Sequence, residues 1–288
     1  MPTAHVDDIQ LIWEEAGAGS PLVLVHEFGG DARSWAPQLQ HFAARHRVIA
    51  YNQRGYPPSS VPLRALDYSQ ERLVRDLAML LDEIEPRRVH LCGCSMGANV
   101  ARDYTIAHPD RVHSLILVGA GAGSTDREAF LKSQQAIAAA LDAEGIESLV
   151  RNFSQNPTRS SFRRKDPQAF AEFLRGVREH DSRACAHLAR EVLVKRKTIF
   201  DLEAELRALL VPTLIIVGDR DESCFAPSLQ LRRWIPHSGL LVLPDCGHTP
   251  NLEEVEFFNR VLGDFLASVE AGSWAGWTGG GETQATAL

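Results

Sequence analysis

Apolar residues along this chain fall into two alternating patterns. Short continuous runs occur at Leu22-Val23-Leu24-Val25, Val48-Ile49-Ala50-Tyr51, residues 88–94, 114–119 and 212–218, and Leu240-Leu241-Val242-Leu243. Runs of this length and continuity read as strands covered by helices on both faces. Between them lie stripes at helical spacing. Leu73, Leu77, Leu80, Leu81 and Ile84 form one, opened by Ser69 as an N-cap and stopped by Pro86. Further helices are expected over Trp35 to Ala44, from the 97 region to about Ala107, between the last two strands, and around Leu252 to Val269. Ahead of them, residues 5–16 alternate around Val6, Ile9, Leu11 and Trp13 and read as edge strands of a hairpin feeding the first buried strand. A β-α-β-α succession at roughly 30 residues per unit predicts an α/β protein with a mostly parallel, doubly wound sheet and right-handed crossovers.

The pattern breaks once. From Gly119 to about Leu206 the strand signal disappears. Thr125-Asp126-Arg127-Glu128 fits a capping box that opens a helix through Asp142, and Phe170, Phe173, Leu174 and Val177 share one helical face. Four helices fit the span, on the side of the sheet where strand C-termini emerge and a ligand would bind. The chain therefore divides into a first core part (1–120), an inserted helical cap (121–206), a second core part (207–270) and a Gly/Thr/Ala-rich flexible tail (271–288). Trp274 and Trp277 are the tail residues able to dock. Pro57 and Pro58 fix a surface loop after the second buried run, and Arg163-Arg164-Lys165 reads as a solvated turn beside a cap helix.

Composition narrows the function classes. With 288 residues the chain can bury a large core, and a net charge of −7 argues against a general nucleic-acid surface. No apolar run approaches the roughly 18 residues of a membrane span, and the N-terminal residues lack the basic start and apolar core of a secretory signal. A cytoplasmic protein without membrane or nucleic-acid partners is expected. Five scattered cysteines show no disulfide framework. A zinc site from Cys94, Cys246 and His248 lacks any Cys-x-x-Cys spacing, so no metal is expected.

One stretch carries chemistry. The run 88–94 ends in Gly93-Cys94-Ser95-Met96-Gly97, and a helical pattern follows at once. In isolation the motif reads equally as an ordinary strand-to-helix turn or as a nucleophile elbow. Between strand and helix it is the setting that lifts a serine clear of the sheet. A serine hydroxyl needs a base to take its proton and an acid to orient that base. Two later loops at strand ends offer both: Asp219-Arg220-Asp221 after Gly218, and Pro244-Asp245-Cys246-Gly247-His248 after Leu243. Cys94, though adjacent to Ser95, should face the other way and pack.

These motifs, together with His26-Glu27-Phe28-Gly29-Gly30 and Arg54-Gly55, resemble the α/β-hydrolase fold superfamily in its serine-nucleophile branch with a helical cap. The resemblance implies Ser95 as nucleophile, His248 as general base and Asp221, in preference to Asp219, as the acid. It implies an oxyanion hole from the backbone N–H groups of Met96 and Phe28, with His26 a structural hydrogen-bonder. No cofactor is implied. The substrate expected is a small carboxylic ester or lactone; carbon–carbon bond hydrolases and cofactor-free perhydrolases share the same residues. A ligand-binding protein on a hydrolase fold is the reading from another class. Ser95 excludes the aspartate route of haloalkane dehalogenases and epoxide hydrolases. One departure stands out: Glu27 replaces the glycine usual in the His-Gly-x loop. Its carboxylate is expected to point away and pair with a cation, or to shape substrate choice.

Overall fold

The computed structural model describes residues 2–84 and 87–275. Pro86 and Trp277, and all of the tail beyond residue 275, lie outside them. The strands are β1 (Thr3–Val6), β2 (Ile9–Ala16), β3 (Ser20–Val25), β4 (His46–Tyr51), β5 (Val89–Cys94), β6 (Val112–Val118), β7 (Thr213–Gly218) and β8 (Ser238–Leu243). They form one sheet in the order β1-β2-β4-β3-β5-β6-β7-β8. β1 and β2 pair antiparallel and β2 joins β4 antiparallel; every pairing from β4 to β8 is parallel. The hairpin thus extends the sheet next to β4 and not next to β3, the strand it leads into.

Strand periodicity sorts the core into two layers. Val23, Val25, Leu91, Leu115 and Leu117 face one side, where they meet α2 (Gln70–Glu83), α3 (Met96–Ala107) and α10 (Glu222–Trp234). Leu22, Leu24, Cys92, Cys94 and Ile116 face the other, against α1 (Ala36–Phe42) and α12 (Val255–Glu270). A sheet buried on both faces explains why its strands are unbroken apolar runs. Ser69 caps α2 by accepting the N–H of Arg72 at 3.2 Å.

Between β6 and β7 come α4 (Arg127–Glu144), α5 (Ile146–Gln155), α6 (Ser160–Lys165), α7 (Pro167–Arg178) and α8 (Ser182–His187), the last running into a π-helical turn over Leu188–Leu193. The short α9 (Glu203–Arg207) leads into β7. These are more pieces than the four helices expected, because Pro157 and the Asp166-Pro167 pair each restart the chain; Asp166 caps α7 by accepting the Ala169 N–H at 2.9 Å. At α4 the cap is Asp126, not Thr125, and the helix runs to Glu144, where Gly145 at φ 74° ends it. The last expected helix is two: α11 (Pro250–Glu253) and α12, separated by Glu254 at φ −136°.

Two loops differ from expectation. Residues 52–56 are buried, not a surface loop: Arg54 makes a bidentate pair with Asp76 at 2.7 and 2.8 Å, and Tyr56 is fully enclosed. A sealed charge pair lets this polar stretch lie inside. The basic residues Arg164 and Lys165 are not merely solvated; they pair with Asp245 of the loop after β8 and with Glu254 between α11 and α12. Trp274 packs edge-on against Phe265 and donates its indole N–H to the His237 carbonyl at 3.0 Å. Among the described residues no helix is long and apolar enough to cross a membrane.

Candidate active site

The turn from β5 to α3 is shaped by what its glycines lack. A Cβ on Gly93 would stand 2.2 Å from the Gly97 carbonyl oxygen, and one on Gly97 would stand 2.2 Å from that of Val25. Only bare backbone permits this approach. Ser95 between them takes φ 52° and ψ −109°, a conformation an L-residue adopts only when its surroundings impose it. Its amide is fixed by a 2.8 Å bond to the Val118 carbonyl of the neighbouring strand. The result is a hydroxyl standing at the N-terminus of α3.

Three side chains from separate strand ends meet there. Ser95 Oγ lies 2.9 Å from His248 Nε2, and His248 Nδ1 lies 2.6 Å from Asp221 Oδ2. With Nδ1–H donating to the carboxylate, Nε2 is left as an acceptor for the serine proton. Asp221 is fully buried. Burial alone pushes its carboxyl upward, but the charge and hydrogen bond of His248, with a 3.0 Å bond from Ser223 Oγ, outweigh this and hold it below the ordinary range. Asp219, the competing aspartate, instead accepts the Cys246 N–H at 3.2 Å.

The backbone of His248 is equally constrained. Its N–H donates to the carbonyl of Thr158, on the turn between α5 and α6, at 3.0 Å. Buried Glu253 accepts the N–H groups of Gly247 at 2.7 Å and Thr249 at 3.1 Å, and the Ser161 hydroxyl at 2.6 Å.

Opposite the serine, the loop after β3 is locked in place. His26 Nδ1 donates to the Glu27 carbonyl at 2.8 Å and Nε2 accepts the Gln53 N–H at 3.0 Å. These bonds require a neutral ring, and burial lowers its pKa to about 4. The Gly29 N–H donates to Tyr56 Oη at 2.9 Å, and the Gly30 N–H to the Glu27 carbonyl at 3.2 Å. The N–H groups of Phe28 and Met96 donate to no partner among the described residues. An oxyanion hole requires two N–H donors left free in this way.

Glu27 turns beneath this loop. Its Oε1 accepts the Ser34 hydroxyl at 3.1 Å and leaves no room for a side chain at Gly30. Oε2 has no partner, and no cation lies within ion-pair distance among the described residues. Burial pushes this carboxyl up, and the charge of Arg159 only partly offsets the rise.

Ser95, His248, Phe28 and Met96 open onto a cavity of about 520 Å³ between the sheet and the inserted helices. Its apolar wall includes Phe130, Ile137, Phe153 and Leu193, and its polar wall Asn99, Gln134, Asn152, Arg159 and Arg196. Asn99 and the two arginines have no sequence signal. Arg159 sits four residues from Arg163 in an equally polar segment, and no periodicity separates the inward residue from the outward ones.

Cys94 is fully buried on the α12 side of the sheet, and burial pushes its thiol well up, so it packs and does not ionise. Among the described residues the one group of three possible metal ligands is Asp221, Cys224 and His248. It is not the Cys94–Cys246–His248 set. The His248 and Asp221 atoms are already engaged with each other, and the Cys224 thiol donates to the Gly119 carbonyl at 3.2 Å.

A mostly parallel sheet with a serine, an aspartate and a histidine in that chain order after β5, β7 and β8 defines the class of α/β hydrolases. The family profile for the alpha/beta hydrolase fold matches residues 20–255, and the chain belongs to that family. It is 30% identical over 276 residues to the 2-hydroxymuconate semialdehyde hydrolase of Pseudomonas sp. strain CF600, covering 89% of this chain and 90% of that one. The structure resembles a malate-bound thermophilic esterase from Thermogutta terrifontis, with a TM-score of 0.82, 27% identity, and coverage of 93% of this chain and 98% of that one. It also resembles the enol-lactonase of Burkholderia xenovorans LB400, with a TM-score of 0.81, 25% identity, and coverage of 92% and 100%.

Proposed function

We propose that this protein is a serine hydrolase that cleaves a small carboxylic ester or lactone through an acyl-enzyme intermediate. The observation that carries this reading is the unbroken hydrogen-bonded chain from Asp221 through His248 to Ser95. As Ser95 Oγ attacks the carbonyl carbon, its proton passes to His248 Nε2. Asp221 holds the ring in the tautomer that can accept it and stabilises the imidazolium. The Phe28 and Met96 N–H groups receive the negative charge that develops on the carbonyl oxygen. His248 returns the proton to the leaving alkoxide, and a water molecule repeats the sequence to release the acid. The helices of 121–206 act as a cap that admits substrate to the serine. The chemistry calls on no metal or organic cofactor.

Resemblance to an esterase and an enol-lactonase supports the ester or lactone reading. The 2-hydroxymuconate semialdehyde hydrolase keeps carbon–carbon hydrolysis as the second reading. A panel of p-nitrophenyl esters, lactones and vinylogous diketones separates the two. A fluorophosphonate probe is expected to label the wild-type protein and not the Ser95→Ala variant. Failure to label the wild type would overturn the reading in favour of a ligand-binding protein.

A further inference from the structure

Four arginines are buried among the described residues, and the guanidinium groups of three of them donate hydrogen bonds. Arg54 grips Asp76, Arg102 donates to Asp103 and Asn99, and Arg196 donates to the Ala122 carbonyl at 2.7 Å. Arg159 is different. It is 3% exposed, lines the same cavity as Ser95 and His248, and its guanidinium donates no hydrogen bond among the described residues. It is held instead by two aromatic rings, with its central carbon 4.5 Å from the Phe153 ring centroid and 4.7 Å from that of Phe173. Contact with ring faces fixes the guanidinium but uses none of its N–H donors.

The carboxylates whose charges reach Arg159 are Glu27, Glu253 and Asp221. None forms an ion pair with it. Glu253 is committed to Gly247, Thr249 and Ser161, and Asp221 to His248 and Ser223. Glu27 keeps one oxygen unpartnered, tucked under the loop and outside the cavity lining. A buried guanidinium without a hydrogen-bond acceptor is a costly arrangement, and a planar anion is the ligand that relieves it, through two parallel N–H···O bonds.

We propose that Arg159 is the anchor for a carboxylate carried by the substrate, at a position remote from the carbonyl that Ser95 attacks. The substrate class is then a half-ester of a dicarboxylic acid, or a lactone bearing a free acid group. This deepens the hydrolase reading and rests on it for the word substrate; the anion site itself does not depend on turnover.

The test uses glutarate as probe and the Ser95→Ala protein, so that binding is read without catalysis. Calorimetric titration should show saturable binding of glutarate, with neutral glutaramide bound at least about tenfold more weakly. Adding Arg159→Gln should weaken glutarate binding by about 10- to 100-fold. Arg159→Lys should fall between, since it keeps the charge and loses the fork. In the active enzyme, Arg159→Gln should lower the ratio of kcat/KM for mono-p-nitrophenyl glutarate over p-nitrophenyl butyrate by a similar factor. Equal binding of glutarate and glutaramide overturns the proposal without any variant of Arg159. Ester cleavage with no preference for the charged ligand sinks the anion site and leaves the hydrolase reading standing. Glutarate binding through Arg159 in a protein that cleaves no ester does the reverse.

Discussion

At the scale of single residues, the two carboxylates of the β7 loop offer a direct contrast. Asp221 Oδ2 touches His248 at 2.6 Å, whereas Asp219 touches only a backbone N–H. Asp221→Asn should lower kcat by about 10³- to 10⁴-fold, because the amide favours the wrong tautomer of the ring. Asp219→Asn should cost far less in the same steady-state assay. Glu27 gives a prediction in pH. Its carboxyl is raised above the ordinary 4.5 by burial. The folded protein therefore holds this proton more tightly than the unfolded chain. The stability it contributes is complete below pH 4.5 and is lost as pH rises through the folded value. Glu27→Gln removes that titration, so its stability relative to wild type should increase from pH 4 to pH 8, read as urea midpoints at each pH. Ser95, Asp221 and His248 were legible because motif and chain order name them. The turn of Glu27 under its own loop was not, because that depends on Ser34 and Gly30 closing over it in space.

At the scale of elements, β5, its turn and α3 work as one device. The constraint lies in the glycines and not in the serine. A Cβ on Gly97 would meet the carbonyl oxygens of Val25 at 2.2 Å and His26 at 2.6 Å. Both belong to the end of β3 and the loop that carries Phe28. Gly97→Ala should therefore lower thermal stability, by about 1–3 kcal/mol, and also abolish fluorophosphonate labelling, since the clash displaces the loop proposed to form the oxyanion hole. Strands and long helices could be read because an apolar period marks them. The breaks could not: the stripe expected around 252–269 gives no sign of the interruption at Glu254, and α6 is too short and polar to carry a period. The placement of β2 beside β4 also escapes local reading, since β2 leads directly into β3.

At the scale of the molecule, the inserted helices are fastened to the sheet by contacts between residues distant in sequence. Arg33 pairs with Glu179 at 2.7 Å, and the His180 ring donates to the Gly29 carbonyl at 3.2 Å. The Arg33 pair is more than half exposed on both sides, so salt should weaken it and little else. Glu253 is the stronger fastening, since it is buried and serves both the His248 loop and Ser161. Glu253→Ala leaves the Gly247 and Thr249 N–H groups without their acceptor. It should cost about 1–3 kcal/mol for each, and lower kcat more than it raises KM because His248, the proposed base, loses its support. Chemical denaturation and steady-state kinetics read the two effects. None of these fastenings was visible in the sequence, where the basic residues near 163 looked like a solvated turn.

The bond from the His248 N–H to the Thr158 carbonyl bears on how such an enzyme can be rebuilt. One partner is the proposed base and the other belongs to the segment that roofs the pocket. A roof transplanted from a relative would arrive with its own peptide at that point and would reset the angle of the imidazole. Selectivity and turnover are therefore not separable modules in this scaffold. A chimera that keeps residues 156–161 with the native His248 loop, and exchanges only the helices on either side, is the design that changes what enters without disturbing what reacts.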